Sequence, residues 1–430
     1  MLERLFALET FGIKLGLENI RRLCDALDHP ERTFLSLHIA GTNGKGSVTA
    51  MVHAALVAAG VRAARYTSPH LVHLNERFVV GNTPVGDDML RYVTNEVLDC
   101  ADRLQRDGVL PAPPTFFEAT TAIAFEIFRR ERVEVAVIEV GLGGRFDATN
   151  VLVPPVGAIT SIALDHQQHL GHSLAEIASE KAGIIKPSMT VVCGSLPADA
   201  LHVMKHVAAE RGATLVEPAR DAQIHYEMDA GRARLTIETA RHRYGPMLLA
   251  LRGEHQVGNA VVAAGVLEAA GARGVGVPAR AVMQGFETVN WPARLELFQL
   301  SDGTRVLLDA AHNPEGARAL RSYLGAWHPE RPVLVIGVMR DKDAEAIVGE
   351  LLPVTSAVIA TAADTPRAVP ANELASRVRV LDAQRSVAAY PDPREALDAA
   401  FAHSTTICVA GSIFLVGAVR EHLRQRGILR

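Results

Sequence analysis

One stretch constrains the fold more than any other. Residues 34–40 form a largely apolar run. Residues 41–47 read Gly-Thr-Asn-Gly-Lys-Gly-Ser, and Val48, Met51, Val52, Ala55, Leu56 and Ala59 then recur at helical spacing before Gly60. An apolar run feeding a glycine loop and then a helix is the first half of a βαβ unit. Glycines let such a loop turn its N–H groups onto phosphate oxygens, and the helix N-terminus adds positive potential. Lys45 is placed to reach β- and γ-phosphates. The spacing departs from G-x-x-x-x-G-K-[ST]: Gly46 stands where a magnesium-binding hydroxyl normally sits, and Ser47 comes one later. A plain glycine–serine turn is the alternative. The flanking strand and helix favour phosphate binding by Gly41, Thr42, Asn43, Gly44, Lys45, Gly46 and Ser47.

Apolar runs and helical patterns alternate along most of the chain. Residues 133–140 and 156–162 read as further strands, apolar on both faces, which suits a parallel sheet covered by helices. Ser173-x-x-Glu176 is a capping box opening a helix expected to reach Ile185, and 191–194 returns to the sheet. Between residues 221 and 251 alternating patterns suggest a small antiparallel side sheet. A helix is expected at 255–270. A fresh α/β series starts at Arg305, with strands at 306–309, 332–338, 357–361 and 406–410. A domain boundary is expected near 291–300. The fold class is therefore α/β: a P-loop nucleotide-binding domain with a mostly parallel sheet, residues 1–295, plus a smaller C-terminal α/β domain, residues 296–430.

Composition narrows the function. The chain has 430 residues, 48% hydrophobic and 21% charged, with a formal charge of −4. No basic excess exists to neutralise a nucleic-acid backbone. Cys24, Cys100, Cys193 and Cys408 are scattered, without a C-x-x-C pair, so neither a disulfide framework nor a zinc site is expected. No run of about 18 apolar residues occurs, and the first residues look like neither a signal nor a transit peptide. A cytoplasmic protein is the expectation.

The glycine loop has company in sequence order. Tyr66-Thr-Ser68-Pro-His70-Leu, Asn75-Glu-Arg77, Thr115-Phe116-Phe117-Glu118 and Glu139-Val-Gly-Leu-Gly-Gly-Arg-Phe146-Asp147-Ala148-Thr-Asn150 come first. Leu164-Asp-His166, Glu180-Lys181-Ala-Gly, Gly253-Glu-His-Gln-x-x-Asn259, Trp291-Pro-Ala-Arg294, Leu308-Asp309-Ala-Ala-His312-Asn-Pro and Val338-Met-Arg-Asp341-Lys342-Asp follow. The ordered set resembles the dihydrofolate synthase/folylpolyglutamate synthase branch of the Mur ligase superfamily, ATP-dependent amide-forming ligases. The glycine after Lys45 leans to that folate branch.

The residues alone allow part of this. Glu139 ends an apolar strand beside a glycine-rich turn, a place where a carboxylate can hold Mg²⁺ or merely a salt bridge. His166 on its own reads as an ordinary loop histidine, and Lys181 as a solvated helix lysine. The resemblance implies more: Mg²⁺ held by Ser68, Glu139, His166 and a carbamylated Lys181, with the Ser68 hydroxyl in place of the one Gly46 lacks. It implies that Asn259, Arg294, Asp309 and His312 surround ATP, and that Lys45, Lys181 and His312 act in catalysis. It places the pterin against Ile13, Lys14, Leu15, Thr115, Phe116, Phe117, Glu118, Phe146, Asp147 and Ala148, and glutamate near Ser412. Lys14 stands where some bifunctional members have Asp.

The implied reaction joins L-glutamate to dihydropteroate and to reduced folates through an acyl phosphate. The second domain is expected to help bind glutamate and to close over the nucleotide. The partners expected are small molecules only, with no nucleic acid and no membrane, and the chain is expected to act as a monomer. A monofunctional folylpolyglutamate synthase is the nearest alternative. A Mur-type cell-wall ligase would need more than the 40 residues before the glycine loop for its UDP-binding domain. A GTPase would need D-x-x-G and N-K-x-D, and neither occurs.

Overall fold

The computed structural model describes residues 2–12, 14 and 16–429. By compactness the chain divides into two units. The first takes the chain up to Tyr226 with Leu235–Leu248 and Gly258–Val289. The second takes Glu227–Arg234, Leu249–Val257 and everything from Asn290.

The first unit is built on an eight-stranded sheet: β1 (Leu35–Ala40), β2 (Ala63–Tyr66), β3 (Phe78–Val80), β4 (Thr83–Pro84), β5 (Val135–Glu139), β6 (Val156–Ile159), β7 (Thr190–Cys193) and β8 (Thr214–Val216). Their order is β4-β3-β2-β5-β1-β6-β7-β8. From β2 to β8 the pairs are parallel, and β3 and β4 join antiparallel at the edge. The apolar runs at 34–40 and 133–140 are these central strands, buried on both faces. β1 lies between β5 and β6, so its C-terminal end is the switch point of the sheet, where α/β sheets take their ligands. The third run is shorter than its apolarity suggests: β6 stops at Ile159, and Thr160–Ala163 leave the sheet to support the glycine loop.

The helix Lys45–Ala58 departs from expectation in its packing. The spacing suggests one buried face, yet Gly46 through His53 are all buried, with Ala55 and Leu56. The helix Ala279–Thr288 accounts for it: a Cβ on Gly285 would lie 2.5 Å from the Ala55 nitrogen, so two backbones meet there. The Ser173 capping box forms, with Glu176 N donating to Ser173 Oγ at 3.2 Å, but its helix, Leu174–Ala182, ends before Ile185.

Residues 221–251 supply a three-stranded sheet, β9 (Gln223–Asp229), β10 (Arg232–Glu238) and β11 (Arg243–Arg252), with β10 central. The second unit carries a six-stranded sheet of β12 (Glu296–Gln299), β13 (Arg305–Leu308), β14 (Val333–Ile336), β15 (Val358–Ala360), β16 (Val387–Ala389) and β17 (Thr406–Ala410). Its order is β12-β13-β17-β14-β15-β16, antiparallel only at β12–β13. Its core gathers Leu307, Leu334, Ile336, Cys408 and Ala410 from the sheet, with helix residues such as Leu320 and Leu374.

Candidate active site

The glycine loop leaves β1 at Ala40, and Lys45 is the first helical residue. Gly44 caps that helix with φ +83°, a left-handed conformation that other residues avoid. A Cβ there would overlap Asn259 Oδ1, so Asn259 is packed directly on the loop. The loop is fastened to the residues after β6. Thr42 N donates to Ser161 O at 2.9 Å, Asn43 N to Ser161 Oγ at 2.9 Å, and Thr160 Oγ1 to Asn43 O at 2.6 Å. Ala163 N donates to Thr42 Oγ1 at 3.1 Å. Thr160, Ser161 and Ala163 are missed by sequence reasoning because they extend an apolar run that reads as strand. Lys45 Nζ folds back on Thr42 O at 3.1 Å. Ser47 is buried in the first turn.

Lys181 is not a solvated helix lysine. It is 4% exposed, and its Nζ donates to Gly41 O at 2.8 Å. Burial, helped by the nearby Lys45 charge, pulls its amine down to about 7, against Asp165 and Asp147, which favour the ammonium. His166 has φ +50° and opens the short helix Gln167–Leu170. Its Nε2 lies 4.0 Å from Asp165 Oδ1, the carboxylate of its own Leu164-Asp165-His166 motif. Glu139 is 5% exposed at the end of β5, in register with Ile39 of β1, and Ser68 N donates to its Oε2 at 3.3 Å. The structure brings Ser68 and Glu139 together. Among the described residues no cluster of three His, Cys, Asp or Glu side chains forms.

Asp147 is buried, and its carboxylate is engaged locally. Oδ2 accepts from Leu142 N at 2.8 Å, and Oδ1 accepts from Thr149 N at 3.0 Å and from Thr149 Oγ1. Burial still raises its pKa. Thr149 Oγ1 also meets His38 Nε2 at 2.8 Å. A hydroxyl has one proton, so if it goes to Asp147 the histidine donates. His38 is wholly buried and held neutral, its pKa brought down to about 3 by desolvation and Lys186.

Thr115 and Glu118 form a capping box for the helix Phe116–Arg130, with Glu118 N donating to Thr115 Oγ1 at 3.1 Å and Thr115 N to Glu118 Oε2 at 2.7 Å. The T-x-x-E spacing signals this as clearly as the one at Ser173. Phe116 stacks on Phe6 at 5.8 Å with the Arg77 guanidinium 5.1 Å from its ring centre. Phe117 stacks on Tyr66 at 6.1 Å. Ala148 is buried and Phe146 is 43% exposed. Lys14 is exposed, while Ile13 and Leu15 lie outside the described residues.

In the second unit, Asp309 follows β13. Its Oδ2 accepts from Leu295 N at 2.8 Å and its Oδ1 from Ala311 N at 2.9 Å. Burial raises its pKa while the neighbouring Arg294 lowers it. Arg294 sits between Ala293 and Leu295, both left-handed at φ +60° and +48°, a conformation non-glycine residues seldom hold. His312 Nδ1 pairs with Ala310 O at 2.8 Å, so in the neutral ring Nε2 is the acceptor nitrogen. Asn313 caps the helix Pro314–Trp327, its Oδ1 accepting from Gly316 N at 2.8 Å. Ser412 caps the helix Ile413–Gln425 by accepting from Phe414 N at 3.2 Å.

Two family models match the chain: the Mur ligase middle domain over residues 111–267, and the Mur ligase glutamate ligase domain over residues 293–413. A dihydrofolate synthase/folylpolyglutamate synthase of Bacillus subtilis is 32% identical over 420 residues, covering 96% of both chains. One of Mycobacterium tuberculosis is 36% identical over 439 residues, covering 94% of this chain and 89% of its own. The solved structure of Mycobacterium tuberculosis folylpolyglutamate synthase complexed with ADP superposes with a TM-score of 0.92 at 33% identity, over 98% of each chain.

Proposed function

The chain belongs to the dihydrofolate synthase/folylpolyglutamate synthase family of ATP-dependent ligases, and from that premise we propose that it adds L-glutamate both to dihydropteroate and to reduced folates. The observation that carries the reading is the phosphate loop at the switch point of the sheet, with Lys45 at the first helical position and the Lys181 amine on the Gly41 carbonyl.

In this reading Gly41–Ser47 and Asn259 hold the nucleotide, with Arg294, Asp309 and His312 also assigned to it. The substrate carboxylate attacks the γ-phosphorus of ATP; a P–O bond forms, the β–γ bridging bond breaks, and ADP leaves. Lys45 offsets the negative charge spread over the transferring group. The amine of glutamate then attacks the acyl carbon of the acyl phosphate. An amide forms, inorganic phosphate leaves with the bonding pair, and the amine gives up a proton. His312 is assigned a part around the phosphates through Nε2. Ser412 is assigned to glutamate, and Thr115–Glu118 with Phe146–Ala148 and 13–15 to the pterin end.

The donor set fits Mg²⁺. Ser68, Glu139 and His166 offer few hard ligands, which suits an ion that keeps waters and phosphate oxygens. The buried Lys181 amine, on a backbone carbonyl and pulled down toward neutrality by burial, fits conversion to a carbamate, an added hard oxygen ligand. When bound, Mg²⁺ supplies charge neutralisation at the phosphates. No described helix is long and apolar enough to cross a membrane, and all four cysteines are unpaired, which supports a reducing, cytoplasmic setting. We assign residues 1–295 to ATP and pteroyl binding and 296–430 to glutamate.

The test is ADP release and product mass with ATP, Mg²⁺ and L-glutamate, offering dihydropteroate and a reduced folate monoglutamate separately. Each acceptor should gain one glutamyl residue. Activity on the folate alone would leave a monofunctional polyglutamate synthase, and ADP release with neither would overturn the reading.

A further inference from the structure

We infer that Asn150 is a positioning residue for Lys181, holding the glycine turn after β5 against the C-terminal end of the Lys181 helix. The inference rests on the reading of Lys181 as a working group of the site. Asn150 is 5% exposed. Its Nδ2 donates to Arg145 O at 2.9 Å, on the turn, and to Gly183 O at 3.1 Å, just past the helix. Two carbonyls facing one amide require the NH₂ end there, and Oδ1, buried without a hydrogen-bond partner, does no work in the clamp. The Asn150 backbone is itself fixed: its N donates to Asp147 O at 2.8 Å, and its O accepts from Lys186 Nζ at 2.9 Å.

The two surfaces that Asn150 joins meet backbone to backbone. Arg145 N donates to Glu180 O at 2.8 Å. A Cβ on Gly144 would lie 2.9 Å from both Glu180 O and Lys181 O, and one on Gly183 would lie 2.5 Å from Arg145 Cα. On the exposed side Arg145 reaches the Ser179 hydroxyl at 3.1 Å; on the buried side the bridge is Asn150. The helix end therefore takes its height from the turn, and Lys181 takes its reach to Gly41 from the helix end. A displacement of about 1 Å at a reacting group can cost about a hundredfold in rate.

The experiment compares two variants that loosen the same contact from opposite sides. Asn150→Asp removes both donated hydrogen bonds. Gly183→Ala leaves the backbone in an ordinary helical conformation, φ −57°, but drives a methyl into Arg145. Each should lower kcat at least about tenfold, with KM for ATP and calorimetric ADP affinity within about threefold of wild type. Val419→Ala, a buried truncation in the other unit, serves as a control for lost stability and should leave kcat within about twofold. Variants that keep wild-type kcat beside an inactive Lys181→Ala would overturn the positioning role. So would ADP affinity falling in step with kcat, or a control of equal Tm losing as much activity. A fully active Lys181→Ala would instead overturn the reading of Lys181 and take this inference with it.

Discussion

Lys181 Nζ donates to Gly41 O at 2.8 Å, so a helix that begins after β6 delivers its amine to the entrance of a loop that begins after β1. The contact sits where polyphosphate charge would lie in the proposed reading. Two lysines share the place. Lys45 is at a helix start and partly exposed, while Lys181 is buried and destabilised as an ammonium. Desolvation sets Lys181 apart, giving it an amine with nucleophilic character near neutral pH.

That difference predicts the behaviour of Lys181→Ala. Turnover should fall to background while the fold persists, and a short carboxylic acid such as acetate should restore part of it by filling the gap. Stripping CO₂ from the buffer should slow the wild type, with bicarbonate restoring it. Full activity of the variant would return Lys181 to a packing role.

Lys45→Ala should leave the melting temperature nearly unchanged, because the side chain starts a helix and covers little core. ADP formation should drop ~10²–10³-fold, the usual loss for one transition-state charge contact. ADP formation near the wild-type rate would be incompatible with a phosphate loop.

The central strands are legible because parallel strands covered on both faces must be apolar throughout, and 34–40 and 133–140 are. Strands β3, β4 and β16 are two or three residues long, and too short to carry a period. The glycine loop is legible from Gly44 and Lys45, but its fastening is not: Thr160 and Ser161 are ordinary residues whose role appears only when β6 lies beside β1. Lys181 shows the same limit more sharply. A single lysine in a helical pattern reads as solvated, and only the tertiary contact with Gly41 reveals that it is buried. Asp147 and Thr115–Glu118 show the converse. The resemblance assigns them to substrate, and the structure gives each a local cap as well, the one at Thr115 announced by its T-x-x-E spacing, while Glu118 Oε1 stays buried without a hydrogen-bond partner.

Gly44→Ala separates backbone conformation from charge in the loop. At φ +83° an alanine costs about 1 kcal/mol, and its methyl overlaps Asn259 Oδ1. Calorimetry should show ADP affinity reduced about tenfold or more, with a lower melting temperature, although no charged group has changed. Unaltered ADP binding would mean that the loop does not shape the phosphate site.

The buried histidines set the acid limb of stability. His38 and His53, both buried, are lowered to about 3, each chiefly by desolvation. The unfolded chain titrates them near 6.5, so between these values the unfolded state binds more protons than the folded one. Their contribution is whole above about pH 7 and is lost as pH falls through 6.5 toward 3, with a slope of at most about 1.4 kcal/mol per pH unit for each. The buried carboxylates Asp147 and Asp309, raised by desolvation, act in the opposite sense, so a total slope mixes both. The difference between wild type and His38→Gln isolates one histidine, because glutamine can still donate to Thr149 but cannot take up a proton. Denaturant unfolding from pH 7 to pH 5 should show the variant losing stability more shallowly, by about one proton's worth of slope. Parallel curves would show that His38 keeps its ordinary pKa, and that Thr149 meets a histidine able to charge inside the folded protein.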